Sequence, residues 1–347
     1  MEFDSRGVAL GFLGAAAVLG ALLWFVGFAQ IRQALALLSA QSLLLIVGAG
    51  LCWLGSWGLT LRQVLDSLDV RTSVPKAILL YASAAFANNI TPFGQAGGEP
   101  FSALLISRAT DSKYETGLAA IASVDTLNFI PSIALATIGM AYYVTMFAVG
   151  DSILLVAGIV GTLAVGIPIL GYLLWTNREA VKHGIARVLA PTFATLGGVV
   201  PGVPSPTRKA IRGRVGAFFG AVERVGQKRE DLATAVLCSA LGWLFMCLAL
   251  YFSLRALVPG NGIPVFIVFI VVPVATIASI LPLPGGAGGV ETAIVLLLVP
   301  TTGITAATAT SAAIVYRGGT YWLSTLLGGI AAAVLEGPDV PWRTSEE

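Results

Sequence analysis

The stretch NNITPFGQAGGEP, residues 88–100, interrupts one of the most apolar parts of the chain. It combines paired asparagines, prolines, clustered glycines and the carboxylate of Glu99, all of which a helix crossing hydrocarbon usually avoids. Proline cannot donate a backbone hydrogen bond and clashes with the preceding helical turn, whereas glycine permits the left-handed conformations of a tight reversal. The stretch therefore predicts a helix that breaks within a membrane and turns back.

The composition of the whole chain is that of a membrane protein. Of its 347 residues, 56% are hydrophobic and only 11% are charged, and the mean hydropathy is +0.88. Soluble domains carry about 25% charged residues. Apolar runs long enough to cross a bilayer recur at 8–28, 42–61, 116–147, 152–175, 232–254 and 304–335. We therefore expect an all-α, polytopic integral membrane protein, a helical bundle in a cell membrane of the prokaryotic type.

The positive charges predict how this bundle is oriented. The segment 177–231 holds ten Lys and Arg against four acids, and positively charged loops face the cytoplasm. Seventeen of the 20 Lys and Arg fall on that side if residues 77–107 form a hairpin entering from it and residues 263–300 form one entering from the opposite side. The predicted topology has about six full spans and two re-entrant hairpins, with both termini in the cytoplasm.

The two predicted hairpins share one pattern. Residues 92–99 align without a gap with residues 284–291, so that a proline, two glycines and a glutamate coincide. Hairpins that enter from opposite faces are what an inverted repeat predicts. The single transmembrane domain would then consist of halves 1–175 and 232–336, joined by the cytoplasmic basic segment 177–231. The expected turn residues are Pro92, Gly94, Gly97, Gly98, Pro284, Gly285, Gly286, Gly288 and Gly289.

Ionisable residues in the apolar sequence mark the candidate site, because such groups are costly at membrane depth. Three acids, Glu99, Asp125 and Glu291, accompany one base, Arg317, which is the expected counter-charge. Each glutamate could instead simply cap its half-helix, since a carboxylate suits the positive end of the helix dipole. The polar residues expected to complete a substrate-binding cavity are Asn88, Asn89, Gln95, Asn128 and Tyr316.

Other chemistry has little support in the sequence. The three cysteines form no CxxC pair, and we find no metal-ligand cluster, nucleotide-binding loop or nucleophile–base pair. We therefore expect no metal, no cofactor, no nucleic-acid partner and no catalysis, and the sequence does not indicate an oligomeric state. The segment 207–231 has the pattern of a basic amphipathic helix, which either lies on an anionic leaflet or only enforces topology.

Four stretches resemble the lysylphosphatidylglycerol synthase transmembrane family, also called the flippase-like domain family. They are NNITPFGQAGGEP, VDTLNF from residue 124, LPLPGGAGGVE from residue 281 and YRGGTYW from residue 316. The resemblance spans about residues 8–335. It implies an integral membrane protein, and in the best-known members the domain is thought to move an aminoacylated phosphatidylglycerol between leaflets. The chain departs from the family pattern at two places. An arginine commonly stands three residues after the first glutamate, where this chain has Ser102, and Glu-Arg often precedes the central aspartate, where this chain has Ala122-Ser123-Val124 before Asp125.

Our leading hypothesis is therefore a lipid flippase or transporter that moves a phospholipid or lipid-linked headgroup between leaflets through a polar cavity at the midplane. Its expected partner is a membrane lipid, with Arg317 binding an anionic headgroup phosphate. We expect no synthesis of lysyl-lipid by these residues. One alternative is an ion- or proton-coupled secondary transporter of a small solute, with the three acids as coupling sites. A weaker alternative is an integral-membrane enzyme acting on lipid-linked substrates.

Overall fold

The computed structural model describes residues 38–91, 95–146, 208–258, 263–281 and 283–336, together with scattered single positions elsewhere. These ranges are helical and contain no strand, which confirms the predicted all-helical class. The helices in them are α1 (Ala40–Ser67), α2 (Val74–Ile90), α3 (Gln95–Ala109), α4 (Tyr114–Met146), α5 (Arg208–Gln227), α6 (Arg229–Leu257), α7 (Phe266–Thr276), α8 (Gly289–Thr302), α9 (Ala306–Arg317) and α10 (Leu323–Glu336).

Five helical stretches in the described ranges are long and apolar enough to cross a membrane. Four of them coincide with predicted spans. They are formed by α1, α4, α6 and the continuous helical stretch Ala306–Leu335, which contains α9 and α10 and is called the α9–α10 rod. The predicted spans 8–28 and 152–175 lie outside the continuously described residues. The protein is thus a polytopic helical membrane protein, whereas its total of six full spans stays a prediction.

The fifth stretch, Pro284–Thr302, lies where we predict the return arm of the second hairpin. Its α-helical part, α8, has 14 residues. At 1.5 Å per residue such a helix is about 21 Å long, which is shorter than the hydrocarbon core of about 30 Å. The length is compatible with a re-entrant arm, and the re-entrant course itself stays a prediction.

The first predicted hairpin is an interrupted pair of helices. α2 ends at Ile90 and α3 begins at Gln95, and the two helices pack against each other. Gly98 lies so close to α2 that a Cβ atom there would collide with Asn88 and with the backbone at Ala87. A glycine at this position therefore allows the two arms to approach closely. Pro92 and Gly94, two of the predicted turn residues, lie outside the described residues.

The second predicted hairpin is interrupted by two short 3₁₀ turns. α7 continues into one over Ile277–Ile280, and a second, over Pro284–Gly286, precedes α8. Three glycines here have positive φ angles, 53° at Gly285, 64° at Gly286 and 84° at Gly288. Residues with a Cβ rarely adopt these conformations. These backbone conformations therefore explain why glycines are clustered at this position.

Close packing between helices relies on aromatic and small residues. Trp57 on α1 donates its indole N–H to the carbonyl oxygen of Ser239 on α6 at 3.1 Å, and Gly242 leaves room for its ring. Further along, Gly50 of α1 meets the backbone of Gly319, just after α9. Small residues at such contacts let helix backbones approach, which is how membrane helices gain packing energy without a hydrophobic driving force between them.

Two of the basic loops, the one between α1 and α2 and the one before α6, meet at one end of the bundle. Lys228, just before α6, contacts the carboxylate of Asp69, just after α1, at 2.8 Å. Helix α5 packs against α4, with Ala221 and Val225 buried. The protein thus covers at least part of the apolar face of this helix. Which side of a membrane this end faces stays a prediction.

Candidate functional site

Arg317 is the last residue of α9, where the helix changes its hydrogen-bonding pattern. The following five residues, Gly318–Trp322, form a π-helical turn before α10 begins. Turns of this kind are rare and frequently occur at functional sites. The Arg317 side chain points into the protein and is only 11% exposed. A charge at such depth needs partners. They come from the second break, by which we mean the interruption between α7 and α8 together with the first turn of α8.

The guanidinium of Arg317 is held by two groups of the second break. Its Nε donates to Oε1 of Glu291 at 2.9 Å, and its Nη2 donates to the carbonyl oxygen of Gly285 at 2.9 Å. The aromatic ring of Tyr321 lies beneath it, with 4.1 Å between Arg317 Cζ and the ring centroid. Removing one partner of such a buried pair typically costs about 3–5 kcal/mol. This pair joins the α9–α10 rod to the break before α8.

Glu291 is both a helix cap and an ion-pair partner. It is the third residue of α8, and its Oε2 accepts the backbone N–H of Gly288 at 2.7 Å, as in a capping box. Its other oxygen binds Arg317, and the side chain is only 5% exposed. The two readings that the sequence leaves open for this glutamate therefore apply to the same side chain.

Part of the Arg317 guanidinium is available for a further ligand. An arginine has five N–H donors, and the contacts to Glu291 and Gly285 use two of them. The remaining donors have no partner in the described part of the chain. The neighbouring Gly318 is exposed, with open space where a side chain would be. A guanidinium with spare donors can bind a phosphate or carboxylate through two parallel hydrogen bonds.

Tyr321 and Asn89 join the two broken segments. The hydroxyl of Tyr321 lies 3.2 Å from the carbonyl oxygen of Asn89, at the end of α2, and 3.4 Å from that of Pro284. The side-chain amide of Asn89 donates to Ser324 Oγ at 3.1 Å and to Thr325 Oγ1 at 2.9 Å. Sequence reasoning missed Tyr321, although its place one helical turn after Arg317 is a signal that could have found it.

Glu99 and Asp125 form a second group of charges. They lie on α3 and α4, are partly buried, and are near enough to interact electrostatically. Glu99 is the fifth residue of α3 and thus lies beyond its first turn, unlike Glu291 in α8. The gapless alignment of the two breaks therefore does not give the two glutamates equivalent places in their helices. The described ion pair joins Arg317 to Glu291, whereas Glu99 and Asp125 act on each other as like charges.

The remaining predicted site residues have varied surroundings. Asn88 has a buried side-chain oxygen with no partner in the described ranges, close to Gly98. Asn128 joins α4 to α6, accepting from Ser239 Oγ at 2.5 Å through its side chain and from Trp243 Nε1 at 2.8 Å through its carbonyl. Tyr316 is buried.

Three more predicted residues lie at or near helix starts. Gln95 begins α3, but its side chain is outside the described part of the structure. Gly97 lies within the first turn of α3, and Gly289 begins α8. In the described ranges, no group of three or more His, Cys, Asp or Glu side chains is arranged to hold a metal ion.

Comparison with known proteins identifies the family. A family model described as the lysylphosphatidylglycerol synthase TM region matches residues 8–328, which include both breaks and Arg317. A UPF0104 membrane protein from Methanothermobacter thermautotrophicus is 28% identical, over 95% of this chain and 93% of the relative. Another from Pyrococcus horikoshii is 26% identical, over 89% and 91% respectively. The chain therefore belongs to the lysylphosphatidylglycerol synthase TM-region family of membrane proteins.

Proposed function

We propose that this protein moves a phospholipid or a lipid-linked headgroup between the two leaflets of a membrane, and that Arg317 binds the phosphate of that headgroup. The observation that carries the proposal is the buried pair of Arg317 and Glu291 at the second break, with guanidinium donors left over. A membrane-embedded arginine is costly and is retained where it has a function. The family to which the chain belongs is lipid-related by description, which supports a lipid as the ligand.

Competition for Arg317 gives a mechanism for the empty and loaded states. Without substrate, Glu291 neutralises the guanidinium and keeps α8 capped. A phosphate that arrives beside the open surface at Gly318 takes the spare donors and competes with the carboxylate for the positive charge. Binding thus exchanges one anionic partner for another, and the arginine stays paired throughout.

The same contacts couple the ligand to the helices. Arg317 holds the carbonyl of Gly285, and Tyr321 contacts the carbonyl oxygens of Asn89 and Pro284. A phosphate that draws the guanidinium away from Glu291 weakens the link between the α9–α10 rod and the second break. Rocking of broken helices around a central site is the usual basis of alternating access. The π-helical turn is the hinge in this scheme.

A second candidate function rests on Glu99 and Asp125. Two carboxylates on the packed helices α3 and α4 are suited to take up a proton or a cation, because ionisable groups at membrane depth are costly unless they bind a counter-charge. In this candidate, the protein is an ion- or proton-coupled transporter of a small solute. Proton-driven solute uptake into lipid vesicles that persists in Arg317→Ala and is lost in Asp125→Asn would favour it over lipid movement.

Reconstituted vesicles test the lipid hypothesis. Vesicles of phosphatidylglycerol and phosphatidylcholine with fluorescent phosphatidylglycerol in both leaflets are treated with an impermeant reducing agent, and the protected fraction reports on exchange between leaflets. We expect the wild-type protein and Arg229→Ala, an exposed arginine outside the site, to give exchange. Arg317→Ala should lower the rate at least tenfold, since a charge-assisted hydrogen bond is worth about 1.5–3 kcal/mol.

A double variant separates loss of function from loss of fold. Arg317→Ala leaves Glu291 without its counter-charge, so the single variant is expected to be destabilised. Arg317→Met combined with Glu291→Gln removes both charges and should unfold closer to the wild-type temperature, as measured by thermal unfolding in detergent. Wild-type exchange rates in this folded double variant would contradict the proposed role of Arg317.

A further inference from the structure

A second polar cleft lies at the end of the bundle where the two basic loops meet. It has a volume of about 780 Å³, within the range of ligand pockets. It lies between the end of α1, the start of α2 and the start of α6, and is separate from the Arg317 site in its lining. The lining residues are Arg62, Asp66, Asp69, Arg71, Thr72, Ser73 and Lys228.

The charges of this cleft leave a positive excess. Lys228 pairs with Asp69 at 2.8 Å, and Arg62 lies 3.7 Å from Asp66. Arg71 is exposed and has no charge partner in the described part of the chain. The Lys228–Asp69 pair is itself largely exposed, and exposed pairs contribute little to stability, so an incoming anion can replace the carboxylate.

The start of α2 adds backbone donors to the same cleft. Ser73, the N-cap residue of this 17-residue helix, lines the cleft, and its side chain makes no capping hydrogen bond. No acidic residue lies in the first turn. No carboxylate of its own first turn therefore neutralises the positive end of the helix dipole, and because Pro75 has no N–H, the backbone donor beside Ser73 is that of Val74.

Thr72 gives an independent indication of a ligand. The residue is only 7% exposed, and its hydroxyl oxygen is buried without a hydrogen-bond partner in the described ranges. Its backbone is fixed, because Arg62 Nε donates to its carbonyl oxygen at 3.0 Å. Buried hydroxyl groups nearly always have a partner. Thr72 lines the positively charged cleft, so a polar ligand bound there would account for this unpartnered hydroxyl.

We propose that this cleft binds a phosphate group, with Arg71, the Thr72 hydroxyl and the first turn of α2 as its donors. Arginine and helix N-termini are the two protein features best suited to phosphate. The group is supplied either by the headgroup of an anionic phospholipid or by free phosphate. The site does not depend on the proposed transport function, because none of its residues contacts Arg317 or Glu291.

Binding measurements on the purified full-length protein test this proposal. Phosphatidylglycerol, with diacylglycerol as the phosphate-free control, is titrated in detergent and followed by native mass spectrometry. Inorganic phosphate is titrated separately and followed by the ³¹P line width. The variants are Arg71→Gln and Thr72→Val, and the matched control is Arg229→Gln, an exposed arginine of the neighbouring helix α6 that does not line the cleft.

We expect Arg71→Gln to weaken phosphatidylglycerol binding about tenfold, Thr72→Val to weaken it severalfold, and Arg229→Gln to leave it unchanged. Because Arg71 is exposed and without a charge partner in the described structure, its replacement should not disturb the fold, which thermal unfolding checks. Arg71-dependent binding of inorganic phosphate without binding of phosphatidylglycerol would support the site and identify its ligand as free phosphate. Equal effects of Arg71→Gln and Arg229→Gln, or no binding of either ligand, would overturn the proposal.

Discussion

At the scale of single residues, Glu291 has one task for each of its carboxylate oxygens. One oxygen accepts the N–H of Gly288 and completes the start of α8, and the other binds Arg317. A glutamine at this third position of the helix would complete the capping box as well, but it would not neutralise a buried arginine. The ion pair therefore explains why a glutamate, and not a cheaper capping residue, stands here.

Gly285 is the residue whose backbone conformation the site requires most directly. Its φ angle is 53°, and a Cβ there would also collide with the ring of Tyr321 and the side chain of Asn89. We predict that Gly285→Ala lowers stability by about 1–3 kcal/mol, the usual cost of such strain, and displaces the carbonyl that Arg317 binds. Thermal unfolding in detergent measures the loss.

Gly318→Ala is the matched control for this prediction. Gly318 is helical, and a Cβ added there meets open space. The substitution should therefore leave the unfolding temperature unchanged or raise it slightly, because alanine favours helices. Equal unfolding temperatures for the two variants would show that the left-handed turn at Gly285 is not required.

At the scale of elements, the π-helical turn is the point at which four parts of the chain meet. Gly319 within the turn packs on Gly50 of α1, and Tyr321 contacts carbonyl oxygens at the end of α2 and at the second break. Asn89 in turn donates to Ser324 and Thr325 at the start of α10. A change in the conformation of this turn would therefore alter contacts with both broken segments.

Tyr321→Phe tests this coupling. The variant keeps the aromatic ring beneath Arg317 but removes the hydroxyl that contacts Asn89 and Pro284. We predict a loss of about 1 kcal/mol in stability, as for one hydrogen bond, and a larger relative loss of lipid exchange in vesicles. Tyr142→Phe, at an exposed position of α4, is the control. Unchanged exchange in Tyr321→Phe would mean that this hydroxyl does not link the two breaks in function.

At the scale of the whole molecule, the course of the second hairpin determines the topology. If α7 and α8 enter and leave from one face, the connection before α9 lies on the side opposite to the loop between α1 and α2. If α7 and α8 together make one full crossing of the membrane, the connection before α9 lies on the same side as the loop between α1 and α2. Ser73 and Ala306 are exposed positions in these two places.

Single cysteines introduced there distinguish the two arrangements. In a background with Cys52, Cys238 and Cys247 replaced by alanine, we predict that an impermeant maleimide labels Ala306→Cys in intact cells and labels Ser73→Cys only after lysis. The prediction follows from the positively charged loops, which face the cytoplasm. Labelling of both cysteines only after lysis would favour a full crossing by α7 and α8.

Properties that depend only on residues adjacent in the sequence could be predicted from it. Hydropathy and length predicted α1, α4, α6 and the α9–α10 rod, because the free energy of placing a helix in a bilayer is largely a sum over its own residues. The glycine and proline clusters predicted the two interruptions, because they act on the backbone where they stand. The same local reasoning identified Glu291 and Arg317 as ionisable residues in apolar sequence, which are costly in a membrane and therefore mark a candidate site.

Only the tertiary structure decided which of these residues meet. Three acids were equal candidates for Arg317 in the sequence, and the packing of α9 against α8 pairs it with Glu291. The contacts of Tyr321 with Asn89 and Pro284 join residues 232 and 37 positions apart, respectively. Such contacts depend on how helices distant in sequence pack together, and no local pattern encodes that packing. The residues of the site were thus present in the sequence, whereas its geometry is a property of the folded bundle.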